Sequence, residues 1–319
     1  MASDAARASS SEPENDRGQD APLVSVVVPV LDLAERITAC LDGLVAQTVP
    51  ADDIEVIVVD NGSRDATLDV VRRYPVRLLV EGATRSPYAA RNAGLAAARG
   101  QVVALTDATC APASDWIERG LEALEAHKAD LVGGEIRFNL GEPPTPGEIA
   151  DAMTSIDVEA SITAHRACMT GNLFVRSEVL EAIGPFDPSL RSGGDMRWTR
   201  RATDAGFLLV YAPGAVVSYP ARRLGPLLRK QYRVGRGVPG VWSSFGMSRL
   251  QMLAATARGG LPMPPHRFVR QIPSSLGSVS RPRLVGAWFA IWLAKLARIA
   301  GCCRGMAGGQ PGPFEARAG

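Results

Sequence analysis

Three short apolar runs, each closing on a polar signal, constrain this chain more than any other feature. VSVVVPV carries Pro29 near its end, DIEVIVVDNGSRDAT turns polar at Asp60, and GQVVALTDATC turns polar at Asp107. Segments of helical spacing separate the runs, as in residues 33–47, where Ile37, Leu41, Leu44 and Val45 share a face. Alternation of β-rich runs with helices predicts an α/β fold, a mostly parallel sheet with crossover helices on both faces. In open sheets of this kind, ligands sit beyond the carboxyl ends of the strands. Pro29, Asp60 and Asp107 all fall there, so one rim gathers a fixed turn and two carboxylates.

The pattern predicts strands over 23–30, 54–59, 76–80, 101–106 and 131–138, a core of about five strands. Helices are expected over 33–47, from a Ser63 or Asp65 cap through 71, over 86–99 with Gly100 as stop, and over 115–127. Pro29 lacks a ladder donor, which a strand tolerates best at its edge or end. As acceptor-only groups, Asp60 suits the N–H of a base or ribose hydroxyls, and Asp107 suits ribose or a cation bridging phosphates. Arg85 and Arg91 can grip phosphate oxygens in forked geometry. Each group also has a plainer use, since an Asp after a strand often only caps a turn.

With 319 residues, 46% of them hydrophobic, the chain can bury one large core or two modest ones. Its net charge of +2 conceals an asymmetry: from Ala215 onward 16 Lys/Arg face one acid, Glu315, a net +15 against −13 before it. Such segregation suggests a basic surface turned towards something anionic. Five cysteines without a CxxC pair and three scattered histidines argue against a zinc site and for a reduced, cytoplasmic protein. Residues 1–22 lack an apolar core and are expected to be a disordered tail.

Other nucleotide-site classes fit poorly. A dehydrogenase wants GxGxxG directly after its first strand, where this chain has Pro29-Val30-Leu31-Asp32. GRGVPG at Gly235 to Gly240 follows a basic helix, contains Pro239 and reads as a chance match. There is no Walker A sequence and no Gly-rich basic phosphate loop of the kind nucleotidyltransferases use. Neither a redox cofactor nor a nucleic-acid partner is expected.

PVLDLAERITACLDGLVAQTVPADDIEVIVVDNGSRDAT, then RSPYAARNAGLAAARGQVVALTDATC, resembles the amino half of family-two glycosyltransferases of the GT-A fold. GNLFVRSEVLEAIGPFDPSLRSGGDMRWTRRATDAGF resembles the acceptor-side segment of that family. The resemblance spans about Val24 to Ala221. It implies transfer of a sugar from a nucleoside diphosphate donor, UDP-linked first among the candidates, with inversion at the anomeric carbon. It also implies that Pro29 and Asp60 line the nucleoside pocket and that Arg85, Arg91 and Asn92 lie beside it. Asp107 and Ala108 would begin the family's Asp-x-Asp element, and Asp195 would be the general base.

Three departures qualify that implication. Thr109 stands where the family's principal metal-ligating acid usually stands, and Tyr219 falls where many relatives have a metal-binding His. A hard cation prefers carboxylates, so Mg²⁺ or Mn²⁺ is expected to be weakly held or absent. The acceptor motif reads Gly194-Asp195 rather than Glu-Asp, with Asp195 also fit to cap a helix over 196–205. Without a metal, charge on the leaving diphosphate would fall to Arg85, Arg91, Arg233 or Arg236. The processive Gln-x-x-Arg-Trp motif is missing at both Arg197-Trp198 and Gln231, so one sugar per encounter is expected. The alternative is a degenerate GT-A domain that binds nucleotide or a protein partner without catalysis. Thr109 and Tyr219 motivate it, and retention of Asp60, Asn92, Asp107 and Asp195 together weighs against it.

The expected organisation is a tail over 1–22 and a glycosyltransferase domain over 23–221, with a nucleotide half (23–138) and an acceptor half (139–221). A basic helical extension over 222–305 and a Gly/Pro-rich tail over 306–319 follow. If Pro226 starts a helix, Arg229, Arg233 and Arg236 share a face, suited to phosphate or anionic head groups. The window 284–300 has only eleven residues before Lys295, short of the ~17–25 needed to span a bilayer. With Trp288 and Trp292 one turn apart it suits a helix lying in a membrane interface, or one packed on the domain. A glycan or lipid-linked acceptor and a peripheral place on the inner face of the cell membrane follow as expectations.

Overall fold

A computed structural model describes residues 21–154, 157–190, 192–244, 246–272 and 279–307. Most of the two expected tails, over 1–22 and 306–319, lies outside the described residues. The apolar runs become the sheet: β1 (Val24–Val30), α1 (Thr38–Val45), β2 (Ile54–Asp60), α2 (Thr67–Val71), β3 (Arg77–Val80), α3 (Pro87–Ala97) and β4 (Val102–Thr106) follow in order. β3, β2, β1 and β4 lie side by side and run parallel, joined by crossovers that carry the helices. β1 and β4 are buried almost throughout, as a strand covered on both faces must be. β1 pairs with β4 only from Val24 to Val27, so the donor Pro29 lacks falls beyond that ladder.

α1 begins at Thr38 rather than at 33. The intervening turn holds Asp32 in the left-handed region at φ 50°. Asp32 accepts from the Arg64 N–H at 2.7 Å and donates its own N–H to Ser63 Oγ at 2.9 Å, tying the end of β1 to the end of β2. α3 has the start its sequence implied: Ser86 Oγ accepts from the Tyr88 N–H, and Pro87 opens the helix.

The second half supplies β5 (Ala111–Pro112), α4 (Trp116–Ala126), β6 (Leu131–Asn139), α5 (Pro146–Thr154), α6 (Val158–His165), β7 (Asn172–Arg176), α7 (Ser177–Ile183), α8 (Gly194–Asp204) and β8 (Leu209–Pro220). The sheet reaches 8 strands in the order β3-β2-β1-β4-β7-β6-β8-β5, against the expected about five. β7 runs antiparallel to both neighbours, so the sheet is mixed. β8 eluded the periodicity because Pro213 and Gly214 interrupt it; the register with β6 shifts between Gly134 and Glu135 to absorb them. Trp116 and Phe174, with ring centroids 4.9 Å apart, seat α4 on β7. Each large side chain buried this way stabilises the fold by about 1.5–3 kcal/mol.

Beyond the sheet come α9 (Leu224–Ser244), α10 (Arg249–Arg258), α11 (Pro265–Arg270) and α12 (Arg281–Ala307). α9 starts two residues before Pro226. α12 packs along α9 and α5. The GRGVPG stretch has a packing use: a Cβ at Gly235 would stand 2.1 Å from the Arg298 carbonyl oxygen, and one at Gly301 2.1 Å from that of Tyr232. α12 continues through Lys295 to 27 residues, which corrects the expected short window. By length and composition it could cross a membrane, and 28% of its most apolar stretch is buried. Trp288 and Trp292 donate to the Met263 and Gly260 carbonyls at 2.6 and 3.0 Å, contacts that belong to the second of the two expected settings, a helix packed on the rest of the chain.

Candidate active site

A cleft of about 220 Å³ opens at the carboxyl ends of β1 and β4. Pro29, Arg85, Arg91, Asp107 and Ala108 line it, together with Asn61 and Thr109. Asp60 and Asn92, also expected there, are not among the lining residues. Asp60 is buried, and its carboxylate accepts from the Gly62 and Ser63 N–H groups at 3.0 Å, closing its own turn. Its neighbour Asn61 reaches the cleft wall, held by donation to the Glu81 and Thr84 carbonyls at 2.8 Å. Asn92 is a pin between α3 and the loop after α7, donating to the Phe186 carbonyl at 2.8 Å and accepting from its N–H at 2.9 Å. Arg85 donates to the Gly62 carbonyl at 2.8 Å, fixing its guanidinium beside the cleft.

One arginine organises the centre. Arg91 Nη2 donates to Asp107 Oδ1 at 2.6 Å, and its guanidinium lies 5.7 Å from the centre of the Tyr88 ring. Arg91 is buried, and its Nε has no hydrogen-bond partner among the described residues. Tyr88 Oη accepts from the Gly194 N–H at 2.8 Å. A Cβ at Gly194 would stand 2.7 Å from the Tyr88 ring, so a side chain at this position collides with Tyr88 as it is placed here. Asp195 follows in the first turn of α8, with Gly193, not Asp195, as the N-cap residue; this corrects the capping expectation. Burial in protein raises the Asp195 pKa; the positive charge of Arg91 and the Met196 N–H act against that rise, and the Asp107 charge adds to it.

The metal-side corner is built differently. β5 pairs with the end of β8, Ala111 opposite Ser218 and Pro112 opposite Val217, which brings Tyr219 back to Thr109. Burial raises the Tyr219 pKa, with the Arg222 charge and the nearby Thr109 side chain acting against that rise. Arg222 follows two residues after β8. Its Nη2 donates to Tyr219 Oη, and its guanidinium lies 4.5 Å from the Tyr219 ring centre. Asp151, on α5, accepts from Arg222 Nη1 and Lys230 Nζ at 3.2 Å each and from the Arg222 N–H at 2.9 Å. Burial, with the charges of Arg222 and Arg233, brings Lys230 down to about 8 despite Asp151. Arg222, Arg233 and Arg236 are all outside the cleft lining; Arg222 is held at its Thr109 corner through Tyr219, whereas the Arg236 main chain packs against α12 at Gly305.

A divalent cation that bridges phosphates wants several hard oxygen donors, carboxylates first. Here Asp107 is paired with Arg91, Thr109 and Tyr219 are neutral, and a guanidinium sits on Tyr219. Among the described residues no three His, Cys, Asp or Glu side chains gather around such a position. The protein's own donors at this corner are thus one shared carboxylate and neutral hydroxyls, a weak set for Mg²⁺ or Mn²⁺ that leaves most ligands to phosphate and water. All five cysteines are free thiols, and burial pushes Cys40 up to about 12, leaving it inert beneath the site. Tyr88, Asn61 and Arg222 were not singled out in the sequence. Tyr88 alone had a local signal, its place in the RSPYAARN stretch.

The parallel β3-β2-β1-β4 unit with a rim cleft, continued by a mixed half in which β7 runs antiparallel and β6 pairs parallel with β8, has the GT-A fold of glycosyltransferases. Residues 25–173 match Glycosyl transferase family 2, and the chain belongs to that family. It is 38% identical over 288 residues to the glycosyltransferase AglE of Haloferax volcanii, covering 88% of this chain and 95% of that one. It is 31% identical over 216 residues to a pre-mycofactocin glycosyltransferase of Mycobacterium tuberculosis, covering 62% of this chain and 43% of the relative. Among solved structures, the mannosyltransferase PcManGT from Pyrobaculum calidifontis, in complex with GDP-Man and Mn²⁺, superposes with a TM-score of 0.55. That match has 22% identity and covers 91% of this chain and 76% of that one. S. aureus TarS 1-349 in complex with UDP-GlcNAc gives 0.52 at 17% identity, covering 88% and 91%.

Proposed function

We propose that this glycosyltransferase moves a sugar from a nucleoside diphosphate donor to an acceptor hydroxyl in glycan synthesis, with inversion and one sugar per encounter. The observation that carries this is the Asp107–Arg91–Tyr88–Gly194 chain of contacts, which joins the cleft rim to the turn of α8 bearing Asp195. The nucleoside would lie in the cleft over Pro29 and Asn61, with Arg85, Arg91, Asp107 and Ala108 towards the diphosphate and sugar. Asp195 would take the acceptor proton as that oxygen bonds to the anomeric carbon. The bond from that carbon to the phosphate oxygen breaks, and its electron pair leaves with the diphosphate, where cationic donors must receive it. The raised Asp195 pKa suits a base better than an ordinary carboxylate. GDP-Man and UDP-GlcNAc in the two neighbours support a nucleotide-sugar donor, and a UDP-linked sugar is the first to test.

The membrane side of the proposal rests on α12. Its Ala287, Ala290, Ile291 and Ala294 are buried, while Val285, Phe289, Leu293 and Leu296 form an exposed apolar stripe. With the basic charge of the extension, that stripe suits a peripheral place on an anionic inner membrane face, near a glycan or lipid-linked acceptor. The donor test is a thermal-shift panel of UDP, GDP, dTDP and CMP. A ligand bound by the native state alone at ~100 times its Kd stabilises by about 2.7 kcal/mol. Stabilisation by one nucleotide supports the donor reading; a flat panel favours a degenerate, partner-binding domain.

A further inference from the structure

We propose that Arg222 is the cation that binds the donor's diphosphate, standing where the family's divalent metal would stand. This rests on the nucleoside diphosphate donor proposed above. Three independent observations meet at that corner. The first is the donor set: Thr109 and Tyr219 are neutral, and Asp107 is already paired with Arg91. A dication placed among them would have one shared carboxylate and a guanidinium nearby.

The second is the strand pairing. β5 against β8 delivers Tyr219 to Thr109, a residue of the cleft wall, and the Tyr219 hydroxyl holds Arg222 Nη2. Tyr219 thus stands between the Thr109 corner of the cleft wall and Arg222, which itself lies just outside the lining. The third is how Arg222 is held. Asp151 is fully buried and fixes both the Arg222 backbone N–H and Nη1, while the Tyr219 ring supports the guanidinium face. Among the described residues these contacts engage one N–H on each terminal nitrogen of a group that carries five. The remaining donors are available to phosphate oxygens in the forked geometry that arginine favours.

A buried carboxylate that pins an arginine at its back is a device for presenting positive charge at low ordering cost. The charge is permanent and does not depend on recruiting an ion from solution. Thr109 and Tyr219, each a loss when read singly, become one arrangement: they leave room for the guanidinium and aim it. The ligand chemistry is a nucleoside diphosphate, with the distal phosphate as the recognised group.

The test measures calorimetric binding to the full chain of UDP, GDP, dTDP and CDP and their monophosphates, in EDTA and in Mn²⁺. The expected result is that the diphosphate that binds does so in EDTA, with Mn²⁺ changing its Kd by less than about threefold. Arg222→Met weakens the diphosphate by about tenfold or more and leaves the monophosphate almost unchanged. Tyr219→Phe, which keeps the ring and the Asp151 pair, costs about threefold on the diphosphate only, and covers the case in which Arg222→Met fails to fold. Diphosphate binding that requires Mn²⁺ overturns the Arg222 assignment and leaves the donor reading intact. Equal losses of mono- and diphosphate in both variants also overturn it. If no nucleotide binds in either condition, the donor reading falls, and the assignment with it.

Discussion

Two arginine–carboxylate pairs flank the site, and they are built in opposite senses. At the rim, Arg91 is the hidden member, 8% exposed, and Asp107 the open one at 40%. At the corner where β8 runs into α9, Asp151 is wholly buried and Arg222 keeps 19% of its side-chain surface. A pair presents to a ligand whichever member it leaves open. The rim therefore offers an oxygen acceptor, suited to hydroxyls, and the corner offers a permanent cation, suited to phosphate. Asp195 is close enough to the rim pair for both charges to move its pKa, Arg91 down and Asp107 up.

The largest expected effect comes from the base served by the rim. Asp195→Asn should lower kcat/KM by about 10²–10⁴-fold while the melting temperature holds or rises, because a half-buried charge with a raised pKa is removed. Loss of stability along with activity would make Asp195 a structural residue. The corner is expected to matter most to folding. Asp151→Ala leaves Arg222 and Lys230 without their carboxylate, at a cost of about 3 kcal/mol in urea unfolding. Asp107→Asn removes the half-exposed partner and should cost about 1 kcal/mol or less, because solvent screens the rim pair. Similar costs for the two would erase the distinction between them.

A pH series sharpens the contrast further. The folded pKa of Asp195 is raised, so its contribution to stability is complete below the unfolded value of ~3.9 and is lost as pH rises through the folded value. The stabilising effect of Asp195→Asn should therefore appear at neutral pH and vanish in acid, and the acid limb of kcat/KM should lie above that of an ordinary carboxylate. The smallest expected change is a gain. Thr109→Asp adds a carboxylate beside Asp107, and Mn²⁺ should then tighten diphosphate binding by about threefold in the variant and not in the parent chain.

The amino half of this fold was legible because its information is local. Apolar runs, turn residues and the Ser86-Pro87 start of α3 each declare themselves within a few residues, and Asp107 could be placed on the rim from its strand end alone, whereas Arg91, inside α3, came from the family resemblance. The second half was less so. β8 carries Pro213 and Gly214 inside it, and β5 is two residues long, so neither shows a period. Yet that short β5–β8 pairing is what joins Thr109 to Tyr219 and Arg222. Thr109 and Tyr219 could be noticed singly as departures, but their contact is a product of register. Arg233 and Arg236 attracted attention through helical spacing, whereas Arg222 has no pattern of its own; only the buried Asp151 gives it direction. Asp60 and Asn92 show the converse, side chains whose residue type was legible but whose contacts, one closing a turn and the other pinning α3 to Phe186, were not.

The most direct measurement follows the anomeric proton of the sugar by NMR, with the parent chain, the nucleotide-sugar whose nucleotide stabilises it, an acceptor and EDTA present. The expected product has the opposite anomeric configuration, forms without added metal and is not formed by Asp195→Asn. A product of retained configuration, or undiminished turnover by Asp195→Asn, would contradict the assignment of Asp195 as the base of an inverting transfer.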